Sequence, residues 1–339
     1  MTKEPIARSQ TEWVFPEQTG PAELVETHIS WVFLCDRFVY KIKKPIRYPF
    51  LDFSTLEKRK FYCEREIELN RRLTTDMYLD VQPVSEISGR SYVGYENGKI
   101  IDYAVRMRKM DRNRQMDVLL RNNKVTHSDM RNLAEKIAGF HQRTMTIHDK
   151  DVLQIGDDFN DLKNETAYLH AHLGADTPVI IDRAIASSGA FIERHKDLFA
   201  ARLKEGFYRD CHGDLHSRNI FLLPEPQPYD CIEFNDELRQ IDVLNEVAFL
   251  CMDLDALDKQ ELAEQFLHYY NHLFPAIRSK EDRELFLYYK AYRANVRAKV
   301  NSLRARSADN EAAREPALAE SDKYLRLMDR CLSELAGDS

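Results

Sequence analysis

The chain of 339 residues contains no apolar run that approaches the ~18 residues a helix needs to cross a bilayer. Its first residues, Met1-Thr2-Lys3-Glu4-Pro5, lack the hydrophobic stretch of a secretory signal, so a cytoplasmic location is expected. Glycine and proline are scarce, at 11 and 12 residues, which excludes collagen-like and low-complexity classes. Basic residues are not in excess. The net charge of −7 is the wrong balance for a surface that recruits a phosphate backbone, and local clusters such as Lys41 to Lys44 do not reverse it. Neither nucleic acid nor membrane is expected as a partner. The six cysteines are scattered and form no Cys-x-x-Cys pair, so they read as reduced thiols rather than staples. What remains is a globular composition, 43% apolar and 31% charged, on a chain long enough for two domains or two lobes.

Residues 24–27, 31–34 and 38–42 are rich in aromatic and β-branched side chains and read as three short strands, the last two joined at Asp36-Arg37. Alternation puts Phe38, Tyr40 and Ile42 on one face of the third strand, with Val39, Lys41 and Lys43 on the other. Pro45 and Pro49 break any helix before residue 53. Ser54-Thr55-Leu56-Glu57 then has the form of a capping box with Ser54 at the cap, and a helix is expected to about Leu73. Cys63, Ile67 and Asn70 share a face of it with Glu66. A carboxylate in an apolar stripe needs a partner, and Lys41 is the natural one. Strands are expected again at 81–87, 91–95 and 100–107, with an Asn97-Gly98 hairpin turn. Helices then dominate, at 128–143, 160–172, 179–203, 242–252, 259–273, 281–305 and 311–335. The reading is two lobes, residues 1–107 for nucleotide binding and 108–339 mainly helical with the catalytic loop and acceptor site.

The stretch that organises this chain is Cys211-His212-Gly213-Asp214-Leu215-His216-Ser217-Arg218-Asn219-Ile220, with Asp230-Cys231-Ile232-Glu233-Phe234 behind it. Asn219 follows Asp214 by five positions, and Glu233 follows Asn219 by fourteen. Phosphoryl transfer asks for one carboxylate to take the acceptor hydroxyl's proton, and for an amide oxygen and a second carboxylate to hold Mg²⁺ on the nucleotide phosphates. Asp214, Asn219 and Glu233 come in that order.

These pieces resemble the aminoglycoside phosphotransferase and choline kinase-like families over roughly residues 24–300. The resemblance implies an α+β, protein kinase-like two-lobed fold: a small antiparallel-sheet N-terminal lobe with one helix, and a mainly helical C-terminal lobe. It implies ATP and Mg²⁺ as cofactors and a small-molecule hydroxyl compound as acceptor. Lys41 looks like the phosphate-binding lysine, with Lys43 on the same face as its rival, and Glu66 like the helix glutamate that pairs with it. Residues 104–109, including Met107 and Lys109, look like the hinge that holds adenine. His212-Gly213-Asp214-Leu215-His216-x-x-Asn219 looks like the catalytic loop, with Asp214 as base and Asn219 on the metal. Glu233 stands where these families usually carry the metal-binding aspartate, and Asp230 competes for that role. Asp242 and Glu246 fit the same families. Tyr40-Lys41-Ile42-Lys43-Lys44-Pro45, Leu51-Asp52-Phe53-Ser54-Thr55-Leu56-Glu57 and Ile232-Glu233-Phe234-Asn235 are similar to an uncharacterised bacterial subfamily whose members often carry a second, P-loop domain. With no Gly-x-x-x-x-Gly-Lys-Ser/Thr string, this chain would be the stand-alone form.

Two features depart from the pattern. Thr27-His28-Ile29-Ser30 stands where a glycine-rich loop should cover phosphates, and the His-Arg-Asp, Asp-Phe-Gly and Ala-Pro-Glu marks of protein kinases are missing. The first, together with Glu233 in the place of the usual aspartate, keeps open a catalytically idle nucleotide-binding regulator of the same fold. A third reading takes His212-x-Asp214-x-His216 as part of a dinuclear phosphoesterase site, but no downstream Gly-Asn-His string completes it. For the acceptor, Arg293 and Arg297 share a helix face and would suit an anion, whereas Asp253, Asp255 and Asp258 would suit a cation. The sequence leaves that choice open.

Overall fold

The computed structural model describes residues 13–337. They fall into two compact units. One takes the residues up to Val118 together with Asn219–Leu238; the other takes Leu119–Arg218 and the residues from Arg239 onward. The expected lobes are contiguous, whereas the observed division is not.

The first unit is built on a seven-stranded sheet. Its strands run in the order Trp13–Val14, Arg90–Val93, Tyr78–Ile87, Lys99–Arg108, Phe38–Lys43, Ser30–Leu34 and Glu23–Glu26. Only the two-residue Trp13–Val14 pairs in parallel, and it is too short to leave a periodic signal. The other six lie where alternation and turn residues put them. The hairpin expected at Asn97-Gly98 does not form: Arg90–Val93 and Lys99–Arg108 both pair with Tyr78–Ile87, from opposite sides, and not with each other. Gly98, at φ 129°, instead turns the chain across the end of Tyr78–Ile87, where a Cβ would sit 2.7 Å from the Glu86 carbonyl oxygen.

Alternation sorts the faces as expected. Tyr40 and Ile42 pack with Trp13, Phe33, Val84 and Ala104, while Val39 packs on the opposite face with Cys63, Ile67, Val105 and Met107. The helix Leu56–Asn70 lies against Lys99–Arg108 and Tyr78–Ile87, and buries Cys63, Glu66, Ile67 and Asn70. Its cap is Thr55 rather than Ser54: the Thr55 hydroxyl accepts the Lys58 amide at 3.3 Å. Ser54 is diverted, because its hydroxyl donates to Asp52 at 2.6 Å.

The second unit is helical, with helices at His127–Arg143, Ile155–Asn160, Thr166–Leu173, Asp176–Lys204, Val243–Asp255, Gln260–Leu273, Lys280–Arg306 and Glu311–Gly337. The helix expected at 160–172 is interrupted by a 3₁₀ segment, Asp161–Glu165. That interruption carries buried Glu165 to Ser302 Oγ (2.6 Å) and Arg306 (3.0 Å), a long-range pairing that periodicity cannot register. Val243–Asp255 is buried along its whole length and carries the residues that hold the loop from His212 to Ser217. Among the described residues no helix is long and apolar enough to cross a membrane.

Candidate functional site

In the first unit, the strand Phe38–Lys43 turns Lys41 and Lys43 onto the face covered by the helix Leu56–Asn70. Lys41 Nζ donates to Glu66 Oε1 at 2.9 Å and to Asp230 Oδ1 at 2.6 Å. Lys43 Nζ donates to Glu66 Oε2 at 2.7 Å and to Glu233. Burial disfavours a charged Glu66, but the two ammonium groups outweigh it and hold its carboxyl at about 2. Burial likewise opposes the charge on both lysines. Asp230 and Glu66 overcome it at Lys41, and Glu233 and Glu66 at Lys43. Burial pushes Glu233 upward, against the pull of Lys43. Two ammonium groups therefore face three carboxylates (Glu66, Glu233 and Asp230), and the cluster is one positive charge short.

The two competing metal carboxylates differ sharply. The Glu233 side chain is 3% exposed and engaged by Lys43, whereas that of Asp230 is 43% exposed. Asp230 also sits at φ 63°, a left-handed conformation that is costly for a residue with a Cβ. It is pinned there: its amide donates to the Tyr78 hydroxyl at 3.1 Å, and the next amide, of Cys231, donates to Asn70 Oδ1 at 2.9 Å. A short antiparallel pair, Ile220↔Pro228 and Phe221↔Gln227, continues with the Tyr229 amide on the Asn219 carbonyl at 2.9 Å. That register brings Asp230 back beside Asn219. Tyr78 and Asn70 carry no sequence signal for this task; only the folded helix and strand reveal it.

Met107 belongs to an apolar cluster with Val105, Met77 and Phe221, to which Met110, Leu223 and Tyr229 add partly buried surface. Lys109 is committed elsewhere, its amide to the Arg37 carbonyl and its ammonium to the Cys35 carbonyl, each at 2.9 Å. The Thr27-His28-Ile29-Ser30 turn folds onto itself. The Thr27 hydroxyl accepts the Ser30 amide at 2.9 Å and the Ile29 amide at 3.4 Å.

In the second unit, two carboxylates on the helix Val243–Asp255 brace the Asp214 loop. Glu246 accepts the amides of His212 (2.8 Å) and Gly213 (2.7 Å), and is itself held by His141 Nε2 at 2.9 Å, with Tyr270 on His141 Nδ1 at 2.8 Å. Seven residues on, Asp253 accepts the Ser217 amide at 2.9 Å and hydroxyl at 2.5 Å. Gly213 takes φ 87°, which lets the chain turn between these anchors. The Asp214 amide donates to His212 Nδ1 at 3.2 Å, so the His212 imidazole braces the loop by accepting a backbone N–H. His216 Nε2 lies 3.3 Å from Asp214 Oδ2. Burial would raise the Asp214 pKa, but His216, Arg297 and His212 hold it well below the usual carboxylate range. Glu246 was legible only as a residue that fits those families; its pairing with His141, 105 residues away, was not. Among the described residues His212, Asp214 and His216 do not converge as metal ligands; the one such group is His141, Cys211 and Glu246. That removes the geometric basis for the phosphoesterase reading.

Solved structures share the fold of this chain. A choline kinase from Cryptosporidium parvum superposes with a TM-score of 0.58 at 9% identity, covering 94% of this chain and 90% of its own. A choline/ethanolamine kinase family protein from Mesorhizobium loti gives 0.50 at 12% identity, covering 93% and 94%. The chain has the fold of the choline kinase-like families. Uncharacterised proteins of Mycobacterium tuberculosis and Mycobacterium bovis are 36% identical over 295 residues, 85% of this choline kinase-like chain. The chain spans about half (56%) of the length of these curated relatives. No family model matches it.

Proposed function

We propose that the chain is an ATP-dependent phosphotransferase that moves the γ-phosphate to a hydroxyl of a small molecule. The observation that carries this reading is Lys41, whose ammonium is held between buried Glu66 and half-exposed Asp230. A lysine so held presents fixed positive charge to nucleotide phosphates, and phosphoryl transfer needs little beyond positioning and charge neutralisation. Lys43 is fully buried and ties Glu66 to Glu233, so it supports Lys41 rather than replacing it. Met107 and its apolar neighbours offer a face for the base, while Lys109 contributes through its place in the chain.

For the metal, the donors fit Mg²⁺: hard oxygens, with a cluster one positive charge short. Asn219 and Asp230 would hold it, with Glu233 as the alternative carboxylate, and it would supply charge neutralisation on the phosphates. Asp214, ionised at neutral pH, would orient the acceptor hydroxyl and take its proton. The expected result is Mg²⁺-dependent ATP turnover that Asp214→Ala lowers by roughly 100-fold or more. Turnover unchanged in that variant would remove Asp214 from the role of base.

A second reading rests on the Thr27–Ser30 turn, in which the Thr27 hydroxyl and the amides of Thr27, Ile29 and Ser30 are spent internally. An idle nucleotide-binding regulator would be stabilised by nucleotide yet transfer phosphate to no acceptor. Phosphate transfer to any metabolite in an extract screened with γ-labelled ATP eliminates it.

A further inference from the structure

Of the three aspartates expected to suit a cationic acceptor, two are already in use. Asp253 holds Ser217 and the Tyr324 hydroxyl (3.2 Å), and Asp255 is ion-paired with Lys290. Asp258 lies exposed in a left-handed turn at φ 57°. Glu320 is paired with Lys323 at 2.6 Å and Arg218 at 3.4 Å.

The arginines are in the opposite state. Arg293, 5% exposed, gives Nε to Asn245 Oδ1 at 2.6 Å and Nη1 to the Gly213 carbonyl at 3.2 Å, and lies over the Phe249 ring. Every one of those partners is neutral. One turn further along the same helix, Arg297 stacks on Tyr324 with its guanidinium carbon 5.4 Å from the ring centroid, and its buried Nε donates to nothing. Among the described residues neither arginine has a carboxylate within ion-pair distance, although Arg297 is near enough to Asp214 and Asp253 to act on their charge. A largely buried guanidinium without an anion is expensive unless something supplies one. Arginine's planar fork is suited to a carboxylate or a phosphate.

We infer that the acceptor bound beside Asp214 carries an anionic group, a carboxylate or a phosphate, and that Arg297, with Arg293 behind it, selects it. The acceptor class is then hydroxy acids or sugar phosphates rather than amino alcohols or amino sugars. This rests on the phosphotransferase reading, but its first test needs no ATP.

Binding of gluconate, glucose 6-phosphate, glucosamine and choline to the full chain is measured by calorimetry and thermal shift. One or both anions should bind and raise the melting temperature, and which of the two does so separates carboxylate from phosphate. The two cations should do neither. Arg297→Met should weaken anion binding roughly 10- to 100-fold with nucleotide affinity unchanged. Arg297→Lys, which keeps the charge and is the safer variant for folding, should recover part of it.

With Mg²⁺ and ATP added, only the anions should accept phosphate. The inference is overturned if neither anion binds, if choline or glucosamine is bound or phosphorylated instead, or if Arg297→Met leaves anion affinity intact. An equal loss of nucleotide and anion affinity also overturns it, because the arginine would then serve the nucleotide. ATP turnover unaffected by Asp214→Ala would sink the phosphotransferase reading, while anion binding still decides this one.

Discussion

Lys41 and Lys43 lie two residues apart on one strand face and touch the same carboxylate, yet their surroundings assign them different work. The Lys43 side chain is fully buried between Glu66 and Glu233, whereas that of Lys41 is 12% exposed and also reaches half-exposed Asp230. Removing Lys43 strands buried Glu233 and leaves Glu66 with Lys41 alone, a change that costs about 3–5 kcal/mol. Removing Lys41 leaves Glu66 still paired and should cost about 2 kcal/mol. Lys43→Met is therefore expected to fail chiefly in urea unfolding, and Lys41→Met chiefly in ATP affinity, by about tenfold or more. The reverse pattern would make Lys43 the phosphate ligand. Alternation made both lysines visible as a pair on one face; burial, which no spacing encodes, separates them.

The helix Val243–Asp255 shows how one element organises a loop that has little regular structure of its own. Glu246 and Asp253 stand seven residues apart, two helical turns, and so share a face. One carboxylate takes the amides at the start of the loop and the other takes the amide and hydroxyl of Ser217. Burial would raise the Asp253 pKa, but His216 and Arg297 hold it low, so it serves as an anionic acceptor. Asp253→Ala should release the Ser217 amide and let the loop open. Hydrogen exchange should show loss of protection at Ser217 and its neighbours by roughly 10- to 100-fold, with the first helical turns unaffected. Unchanged protection would mean that Glu246 alone holds the loop. Read from the sequence, Asp253 looked like a surface acid available to an acceptor. Its burial depends on Tyr324, 71 residues further on, and that contact is invisible along the chain.

Across the whole chain the six cysteines are free and buried, in both units. Burial pushes Cys35 and Cys331 up to about 11, and Cys63 and Cys251 up to about 12, so the reactive thiolate is suppressed as well as hidden. Native protein should react with a thiol reagent such as dithionitrobenzoate at fewer than one site per chain, and all six should react in guanidinium. Rapid labelling of the native state would show that one unit opens locally. The scattered spacing anticipated reduced cysteines, while hydrophobic period anticipated the long helices but not the short Met116–Arg121 and Ile155–Asn160.

Hydrophobic period and turn residues are local properties of the chain, and they suffice for six strands of the large sheet and for most of the helices; the order Asp214, Asn219, Glu233 is the local pattern behind the proposed reaction class. Three things lay outside their reach. The chain returns at Asn219–Leu238 to pack with the N-terminal residues, which is a matter of long-range contact. Asp230 rather than Glu233 keeps an accessible carboxylate, because Lys43 and burial claim the other. The acids near Asp214 are spent on loop and ion pairs while Arg293 and Arg297 lack an anion, and charge balance of that kind exists only once the side chains are packed.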